Sequence, residues 1–496
     1  MGILCRKKEV PFIMMATIII IYLSFSSPLL LEVEACHPVD QEALLDLKKS
    51  ITEDPQKMVQ NWTPSTDCCL QWEGITCDNQ TGRVSELDLR DRQNLSGSIP
   101  DSIGRLEKLR LLALGGNRFS GRIPSSIGNL QELRVLWLYS NRLSGPIPPS
   151  ITNLTSLEQL DFENNTLTGT IPPAIGDLKK LTTLSLGTNN LTGNLPESIG
   201  RLSSLIFLAL SNNRFTGEIP ETFANLRNLT NMELSRNQLS GKIPAKLGSM
   251  PSLVYLDLSF NPSLNLQAIP EWISSMKVGS LFLAGTGIKG ELPNWLASSS
   301  LTRLDLSNNG MTGKIPSWIG NMTELNLLNL SNNGFYSKIP DEFKYLSRLM
   351  DLDLHSNNLS GDTNNIFNKS CGTIFGVYYS IDLSDNQFSG GLGEIVDGLY
   401  CALNSLQSLR LSNNQIEGRI PKALGNATIL ETIVLSGNKF NGTIPEEVMN
   451  LESLKEFDVS RNRLSGEIPA HKANIPKEAF LGNPGLCGSP LPPCTI

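Results

Sequence analysis

An asparagine recurs every 24 residues through the first half of the chain, and each copy lies in the same apolar frame. Residues 181–196, LTTLSLGTNNLTGNLP, show one unit, with leucines at offsets 0, 3, 5 and 10 around the asparagine. A unit this short cannot bury its leucines alone, so neighbouring units must stack and share one core. The spacing therefore predicts a solenoid. The seven copies are Asn117, Asn141, Asn165, Asn189, Asn213, Asn237 and Asn261.

The N-terminus has the pattern of a secretory leader. Basic residues at 6–8 precede an apolar run from about 12 to 25, and Val33-Glu34-Ala35 offers a small-residue cleavage site. We therefore predict a signal peptide at residues 1–35 and a secreted protein. An uncleaved anchor helix is the alternative, which the serines and proline that interrupt the run disfavour. No later stretch is apolar enough to span a membrane, so we expect no transmembrane segment once the leader is removed.

The remaining chain divides by the presence of the repeat. Residues 36–82 lack the 24-residue period and are predicted to form an N-terminal cap, with a helix from Asp40 to Ile51 and the segment WEGITC. About sixteen repeats occupy residues 83–469, and residues 470–496 form a C-terminal cap. The asparagine spacing lengthens to 29 and then 28 residues after Asn357, which makes residues 361–405 irregular. Within each unit LxL alternates sides, so we expect a parallel sheet with its leucines inside.

Eight cysteines remain after the leader, and a secreted chain with an even number of cysteines is expected to form disulfides. Free buried thiols are the alternative, and zinc binding is disfavoured because no histidine or CxxC pair accompanies them. Cys371 and Cys401 both fall in the irregular units, so we predict that they pair with each other. The eight are Cys36, Cys68, Cys69, Cys77, Cys371, Cys401, Cys487 and Cys494.

Thirteen Asn-x-Ser/Thr sequons fit a secretory route, and we predict them as glycosylation sites, although turns rich in Asn, Ser and Thr also produce sequons by chance. They are Asn61, Asn79, Asn94, Asn153, Asn164, Asn190, Asn228, Asn321, Asn329, Asn358, Asn368, Asn426 and Asn441.

The residue at the centre of LxL points outward, and along the repeats this column is mostly small or acidic. It carries large aromatic residues at two places, each with further aromatic or acidic neighbours. Exposed aromatic residues beside polar groups are typical of binding hot spots, although aromatic residues also suit a pleated surface or can be covered by loops. We predict a partner-binding site composed of Trp137, Tyr139, Asp161, Glu163, Tyr255, Phe260 and Phe282.

Signatures of catalysis or cofactor binding are nearly absent. The three histidines lie far apart, and the repeated aspartates are explained as solvated strand residues rather than glycosidase carboxylates. Residues 285–290 match GxGxxG, but they lie in a repeat turn without the following helix that would hold a pyrophosphate. The net charge of −7 disfavours nucleic acid. We expect no catalytic residue, cofactor or metal.

The frame LRVLWLYSNRLSGPIPPSITNL at 133–154, with its GxIP element, resembles the plant extracellular leucine-rich repeats. The N-terminal CHPVDQEALLDLKKSI and NWTPSTDCCLQWEGITC look like the caps of secreted plant proteins related to polygalacturonase-inhibiting proteins, including floral and DNA-damage-toleration-named groups. The repeats and the LCGSPLPPC tail are also similar to receptor-like proteins and receptor kinases.

This resemblance implies an α/β leucine-rich-repeat solenoid with a curved parallel β-sheet on its concave face and a disulfide cap at each end. It implies the pairs Cys36–Cys68, Cys69–Cys77 and Cys487–Cys494. The implied function is recognition of a protein or peptide in the plant cell wall, in defence or developmental signalling. Two alternatives stay open, namely an inhibitor of microbial polygalacturonase and a soluble receptor-like ectodomain that acts with a membrane kinase.

Overall fold

A long inner sheet dominates the computed structural model, which describes residues 35–91, 94–367, 378–392 and 405–494. Sixteen strands in these ranges pair in parallel, one from each coil of the solenoid. Ile75–Cys77 of the N-terminal cap joins the first of them in an antiparallel pairing. The sixteen are Val84–Asp88, Leu111–Ala113, Val135–Trp137, Gln159–Asp161, Thr183–Ser185, Phe207–Ala209, Asn231–Glu233, Tyr255–Asp257, Ser280–Phe282, Arg303–Asp305, Leu327–Asn329, Asp351–Asp353, Ser380–Asp382, Ser408–Arg410, Thr432–Val434 and Glu456–Asp458.

The strands lie in register because equivalent residues of successive repeats pair. Leu136 is opposite Leu160, which is opposite Leu184, and all three are 0% exposed. The residue that follows each leucine therefore points to the opposite face of the sheet, as the LxL alternation predicts. Burying one such leucine stabilises the fold by roughly 1.5–3 kcal/mol, and each coil contributes several.

The repeated asparagine joins neighbouring coils through its side-chain amide. Nδ2 of Asn189 donates to the carbonyls of Phe162, Leu186 and Gly187 at 3.0, 3.2 and 3.0 Å. Its Oδ1 accepts from the backbone N–H of Leu167 at 2.9 Å. The side chain thus satisfies backbone groups that the bend of the chain would otherwise bury without partners.

Short strands on the other side of the inner sheet follow the asparagine turns. They form three groups, of which the first also includes Ile51–Glu53. The first group contains Ser96–Ser98, Arg118–Gly121, Arg142–Pro146, Thr166–Gly169, Asn190–Asn194, Arg214–Gly217 and Gln238–Leu239. The second contains Lys289–Gly290, Gly310–Gly313, Gly334–Lys338, Asn358–Gly361 and Gln387–Phe388. The third contains Glu417–Arg419, Lys439–Gly442, Arg463–Glu467 and Gly485–Cys487.

Most coils end in a single helical turn that begins directly after the proline of GxIP and buries one apolar residue. Ile127, for example, is 0% exposed in the turn after Pro124. Proline suits the residue before such a turn because it lacks the N–H that a helix start would leave unsatisfied. None of the helices in the described ranges has the length and apolarity that a membrane span requires.

The 3-10 turns are Asp101–Arg105, Ser125–Asn129, Pro149–Asn153, Pro173–Asp177, Glu197–Arg201, Glu221–Asn225, Ala245–Ser249, Pro262–Leu264, Glu271–Ser275, Asn294–Ser298, Ser317–Asn321, Asp341–Tyr345, Lys422–Asn426 and Lys477–Phe480. The α-helices are Pro38–Ser50, Cys68–Gln71, Asn364–Phe367 and Glu446–Met449.

The N-terminal cap covers the first coil with the helix Pro38–Ser50. The predicted helix, Asp40 to Ile51, begins two residues too late and ends one residue too late. Pro38 starts the observed helix, because proline is favoured at the first helical position. Ile51 was predicted as its last residue but starts the strand Ile51–Glu53, which pairs with Ser96–Ser98. Pairing with this strand therefore outweighs the helical spacing of Ile51.

Disulfides close both caps, with the bonds Cys36–Cys68 and Cys69–Cys77 at the N-terminal end and Cys487–Cys494 at the C-terminal end. These three pairings and the solenoid with its parallel sheet confirm the fold predicted from the sequence. Cys371 and Cys401 lie outside the described residues, as do Asn368 and all of the leader except Ala35.

Candidate functional site

The outward face of the inner sheet carries the residue at the centre of each LxL triplet and its outward neighbours. Among the described elements, the inner strands pack against one another, and their substantial contacts with other strands or helices are confined to the two caps. This face therefore remains available to a partner, whereas the opposite face is closed by the leucine core.

The first aromatic cluster forms around Trp137. The ring is half-buried beneath the guanidinium of Arg90, whose Cζ lies 4.4 Å from the ring centroid. That guanidinium also donates to both carboxylate oxygens of Asp88, at 2.9 and 2.7 Å, and these bonds raise the pKa of Arg90. The hydroxyl of Tyr139 donates to Asp91 at 3.3 Å. Trp137 is consequently less exposed than its position in the outward column suggests.

Small residues in the intervening coil allow these contacts. The strand Leu111–Ala113 separates Arg90 from Trp137, and its outward positions hold Ala113 and then Gly115. A Cβ atom on Gly115 would lie 2.6 Å from a ring carbon of Tyr139, so any other residue type would force the tyrosine ring to shift. The ring of Tyr139 thus occupies the space that these small residues leave open.

An open pocket of about 390 Å³ lies beside Tyr139. Burial raises the pKa of the Asp161 carboxyl group there, and the charge of Glu163 adds to the effect, while the backbone N–H of Glu163 donates to Asp161 and opposes it. The structure therefore brings three of the predicted residues around one polar pocket. Its lining is Tyr139, Ser140, Asp161, Glu163, Asn164 and Thr188.

The second aromatic cluster joins two neighbouring strands. The rings of Tyr255 and Phe282 lie 5.2 Å apart between centroids, with their planes inclined by 36°. The Cζ atom of Arg303 lies 5.4 Å from the centroid of Phe282, and that of Arg236 lies 4.5 Å from the ring of Phe260. Burial raises the pKa of the Tyr255 hydroxyl. The predicted aromatic residues thus share one part of the face, with guanidinium groups stacked on two of the rings.

Five strand spacings separate Val135–Trp137 from Tyr255–Asp257, which is about 24 Å at roughly 4.8 Å per strand. The predicted site therefore consists of two separate clusters on one face. A partner that contacts both must be at least this long, which favours a protein or an extended peptide.

One group on the face resembles a set of metal ligands. Donor atoms of Asp353, His355 and Asp382 lie within 4.8 Å of one another. Both ring nitrogens of His355 already have partners, however: Nδ1 lies 2.6 Å from Asp353, and Nε2 lies 2.9 Å from the side-chain nitrogen of Asn332. A neutral imidazole protonated on Nδ1 satisfies both contacts, which explains the arrangement without an ion.

The GxGxxG segment at 285–290 is explained by the repeat. Its backbone N–H groups at Thr286, Gly287 and Ile288 all donate to Oδ1 of Asn309, at 3.1, 2.9 and 3.0 Å. These donors are the groups that would have to bind a phosphate, and the asparagine of the next coil already occupies them.

Most of the predicted glycosylation sites are accessible in the described residues. Ten sequon asparagines are exposed, whereas Asn190 and Asn329 are half-buried. Asn329 lies in the outward column, where its Oδ1 accepts from the backbone N–H of Ser331 at 3.0 Å.

The sequence analysis missed the arginines that stack on the aromatic rings. Arg90, Arg236 and Arg303 occupy different positions within their repeats. The repeat period therefore does not predict which ring each arginine contacts. The run Ala113-Leu114-Gly115-Gly116 beside Trp137 is the signal that could have revealed the first contact, because three of its four residues are small where neighbouring repeats carry larger ones.

Comparison with known families finds leucine-rich repeats along much of the chain. The leucine-rich repeat N-terminal domain matches residues 37–78, and the leucine-rich repeat region matches residues 163–331. Further leucine-rich repeats match residues 108–130, 132–154, 324–346 and 404–464.

Similar proteins include inhibitors and receptors from plants. The chain is 40% identical over 79 residues to a polygalacturonase inhibitor of Vitis vinifera. The aligned region covers 16% of this chain and 22% of the relative. It is 31% identical to the plant peptide hormone receptor RGFR1 in complex with RGF2, with a TM-score of 0.52, covering 77% of this chain and 68% of that one. It is 28% identical to the Arabidopsis receptor kinase HAESA in complex with the peptide hormone IDA and the co-receptor SERK1, with a TM-score of 0.51, covering 91% of this chain and 99% of that one.

The chain spans between 8% and 33% of the length of the curated relatives that it matches. Their sequence similarity therefore concerns part of each protein. The structural similarity extends over most of the repeat array.

Proposed function

The chain belongs to the plant leucine-rich-repeat proteins, and on that premise we propose that it is an extracellular recognition protein that binds a protein or peptide partner through the outward face of its inner sheet. The proposed setting is the cell wall, in defence or developmental signalling. The role is one of binding, without catalysis.

The observation that carries this proposal is the pair of aromatic clusters on one face, whose central column is otherwise mostly small or acidic. Trp137 and Phe282 are half-buried rather than buried, so each ring keeps surface that a partner can cover. Aromatic residues that become fully desolvated on binding commonly dominate the energy of protein interfaces. The peptide hormone receptor RGFR1, solved in complex with RGF2, and HAESA, solved with the peptide hormone IDA, support a peptide or protein as the ligand class.

Affinity capture from plant cell-wall extract tests the proposal. Immobilised wild-type protein is compared with the double variant Trp137→Ala/Phe282→Ala, and the recovered proteins are identified by mass spectrometry. We expect at least one partner that the wild type retains and the double variant loses. Equal recovery by both proteins would place binding elsewhere on the solenoid.

Inhibition of a microbial polygalacturonase is a second candidate, which the similarity to the Vitis vinifera inhibitor favours. Purified protein would then suppress the release of reducing ends from polygalacturonan. Unchanged release across a panel of fungal enzymes would contradict this function and leave the recognition proposal intact.

A receptor-like ectodomain that acts with a membrane kinase is the third candidate, favoured by the likeness to HAESA, whose solved complex includes a co-receptor. Ternary binding would distinguish it: a kinase ectodomain should bind this protein more tightly when the captured ligand is present. Binding that does not depend on the ligand would contradict this form of the proposal.

A further inference from the structure

Five carboxylates occupy the outward column around the second aromatic cluster. Each lies at the centre of its LxL triplet, and the register places Glu233 directly opposite Asp257, and Asp353 directly opposite Asp382. We call this set the acidic column: Glu233, Asp257, Asp305, Asp353 and Asp382.

No lysine or arginine of the described residues forms an ion pair with the acidic column. Some acidic residues directly before other inner strands are paired: Glu158 lies 3.6 Å from Arg134, and Glu431 lies 2.8 Å from Lys455. Within the column, Asp353 alone contacts a titratable base, the imidazole of His355. The acidic column thus has no lysine or arginine partner among the described residues, and the same is true of Asp161 and Asp458 at equivalent outward positions.

The local structure does not require these charges. Asp257, Asp305 and Asp382 each accept the backbone N–H two residues later, at 2.9 Å. Asn329 occupies the same position in its repeat and makes the same bond at 3.0 Å with a neutral amide. An asparagine would therefore accept the same hydrogen bond in the turn, and folding does not require the negative charge.

The charges also oppose one another. Like charges directly opposite on neighbouring strands are destabilising. Burial raises the pKa of Glu233 and the neighbouring charge of Asp257 adds to the shift, while burial and the charges of Asp353 and Asp257 raise that of Asp305. A cationic partner that lies along the column would remove this repulsion.

Two guanidinium groups already show how the rings of this region accept a cation. Arg303 stacks on Phe282, which interrupts the acidic column, and Arg236 stacks on Phe260 in the adjacent turn. Phe282 and Phe260 are only half-buried, so each keeps exposed surface that a partner can contact. The electron-rich face of an aromatic ring attracts a cation at such exposed sites.

The spacing of the column limits the shape of the partner. Asp257, Asp305 and Asp353 are two strands apart from each other, which is about 9.6 Å per step. A polyproline II segment rises about 3.1 Å per residue and presents every third side chain on the same face, so those side chains are about 9.3 Å apart. An extended segment with a basic residue at every third position therefore matches the three aspartates.

From these contacts we propose that the acidic column with Tyr255 and Phe282 is a docking surface for an extended, arginine- or lysine-bearing segment of a partner polypeptide. This inference rests on the proposed function, because it specifies which partner chemistry the sheet face selects.

A synthetic peptide of three Arg-Pro-Pro triplets is the probe, and three Gln-Pro-Pro triplets are its uncharged control. Binding is measured by calorimetry to wild-type protein, to Asp305→Asn/Asp353→Asn, and to a control variant with the same change in net charge, Glu221→Gln/Glu324→Gln. The control carboxylates are paired with Lys246 and Arg348 away from the inner sheet.

We expect the arginine peptide to bind wild type and the control variant equally, and the asparagine variant at least about tenfold more weakly. Equal affinity for the glutamine peptide, or an unaffected asparagine variant, would overturn the inference. Loss of binding on adding a chelator would also overturn it, because it would assign the site around His355 to a metal ion.

A partner captured from cell-wall extract separates this inference from the proposed function. A partner lost by Trp137→Ala/Phe282→Ala but kept by Asp305→Asn/Asp353→Asn would support recognition through the face and contradict a cationic segment at the column. A partner kept by both variants would contradict both proposals.

Discussion

The buried carboxylate of Asp40 in the N-terminal helix accepts a hydrogen bond from the Arg83 guanidinium at 2.9 Å, and this contact joins the cap to the first repeat. The same oxygen accepts from the backbone N–H of Val84 at 2.8 Å. The hydrogen bond with Asp40 raises the pKa of Arg83, and the two bonds together fix the start of the inner sheet. The cap is thus attached through specific polar contacts as well as through its apolar residues.

Replacing Asp40 with alanine should destabilise the cap by about 1–3 kcal/mol, because it leaves the buried N–H of Val84 without an acceptor. Chemical denaturation combined with hydrogen exchange of residues 36–90 measures the effect. Glu42→Ala in the same helix is the matched control, since its contact with Arg105 is exposed and should contribute less than about 0.5 kcal/mol. Equal losses in the two variants would contradict the role given to Asp40.

The asparagine ladder gives a second stability prediction. Asn189→Ala removes four hydrogen bonds, two to the preceding coil and two within its own turn, and should cost about 1–3 kcal/mol, with faster hydrogen exchange in the flanking repeats. Asn194→Ala is the control, because that side chain is exposed and bonds only to the hydroxyl of Thr216. A fully retained unfolding midpoint in Asn189→Ala would show that water replaces the amide.

The fold could be predicted from the sequence because the same pattern of buried and turn-forming residues recurs in many repeats. The leucines of LxL, the asparagine and GxIP recur together, so a chance match in one unit does not alter the frame. The end of the cap helix was less predictable, because Ile51 satisfies both the helical spacing and the strand that pairs with Ser96–Ser98. Choosing between them requires knowledge of a partner strand 45 residues later.

The candidate site was only partly predictable. The outward column follows from the period of two, so Trp137 and Phe282 could be placed on one face and Tyr255 beside Phe282. The arginines that stack on these rings could not be assigned, since a side chain that crosses one or two strands can reach several neighbours. Whether a described lysine or arginine reaches the acidic column likewise depends on the paths of side chains, which no repeat pattern specifies.

The aromatic residues should contribute to binding more than to folding. Trp137→Ala loses its contact with Arg90 and should cost about 1 kcal/mol of stability, while a captured partner weakens roughly tenfold or more. Leu138→Ala, which removes an inward leucine that is 0% exposed, should cost about 2–5 kcal/mol. Melting curves and calorimetry test this separation. A Trp137→Ala loss of stability as large as that of Leu138→Ala would make the tryptophan a structural residue.

The pairing of Cys371 with Cys401 remains a prediction, because both residues lie outside the described ranges. In the predicted secreted chain, without Cys5 of the leader, the pairing of the other six cysteines leaves these two as partners. Peptide mapping of the secreted protein without reduction should recover one fragment that contains both. Alkylation of both as free thiols would refute it.

Removing a charge from the acidic column should not weaken the fold. Burial, together with the charges of Asp353 and Asp257, raises the pKa of Asp305 above its ordinary value of 3.8, so ionising this group costs the native state more than the unfolded chain. Asp305→Asn keeps the acceptor for the backbone N–H of Ser307 and removes that cost. We therefore expect the variant to melt at the same temperature as wild type or higher at neutral pH.

The stability difference between Asp305→Asn and wild type should depend on pH, because the pKa of Asp305 is raised in the folded protein. At neutral pH Asp305 is ionised in both states and wild type bears the full cost. As pH falls through the raised native pKa the carboxyl group becomes protonated first in the folded protein, and below about 3.8 it is protonated in both states. The advantage of Asp305→Asn should thus shrink on acidification and vanish below that pH. Denaturant titrations of both proteins between neutral and acidic pH measure it, and an advantage that grows towards low pH would mean that the carboxylate is stabilised in the fold after all.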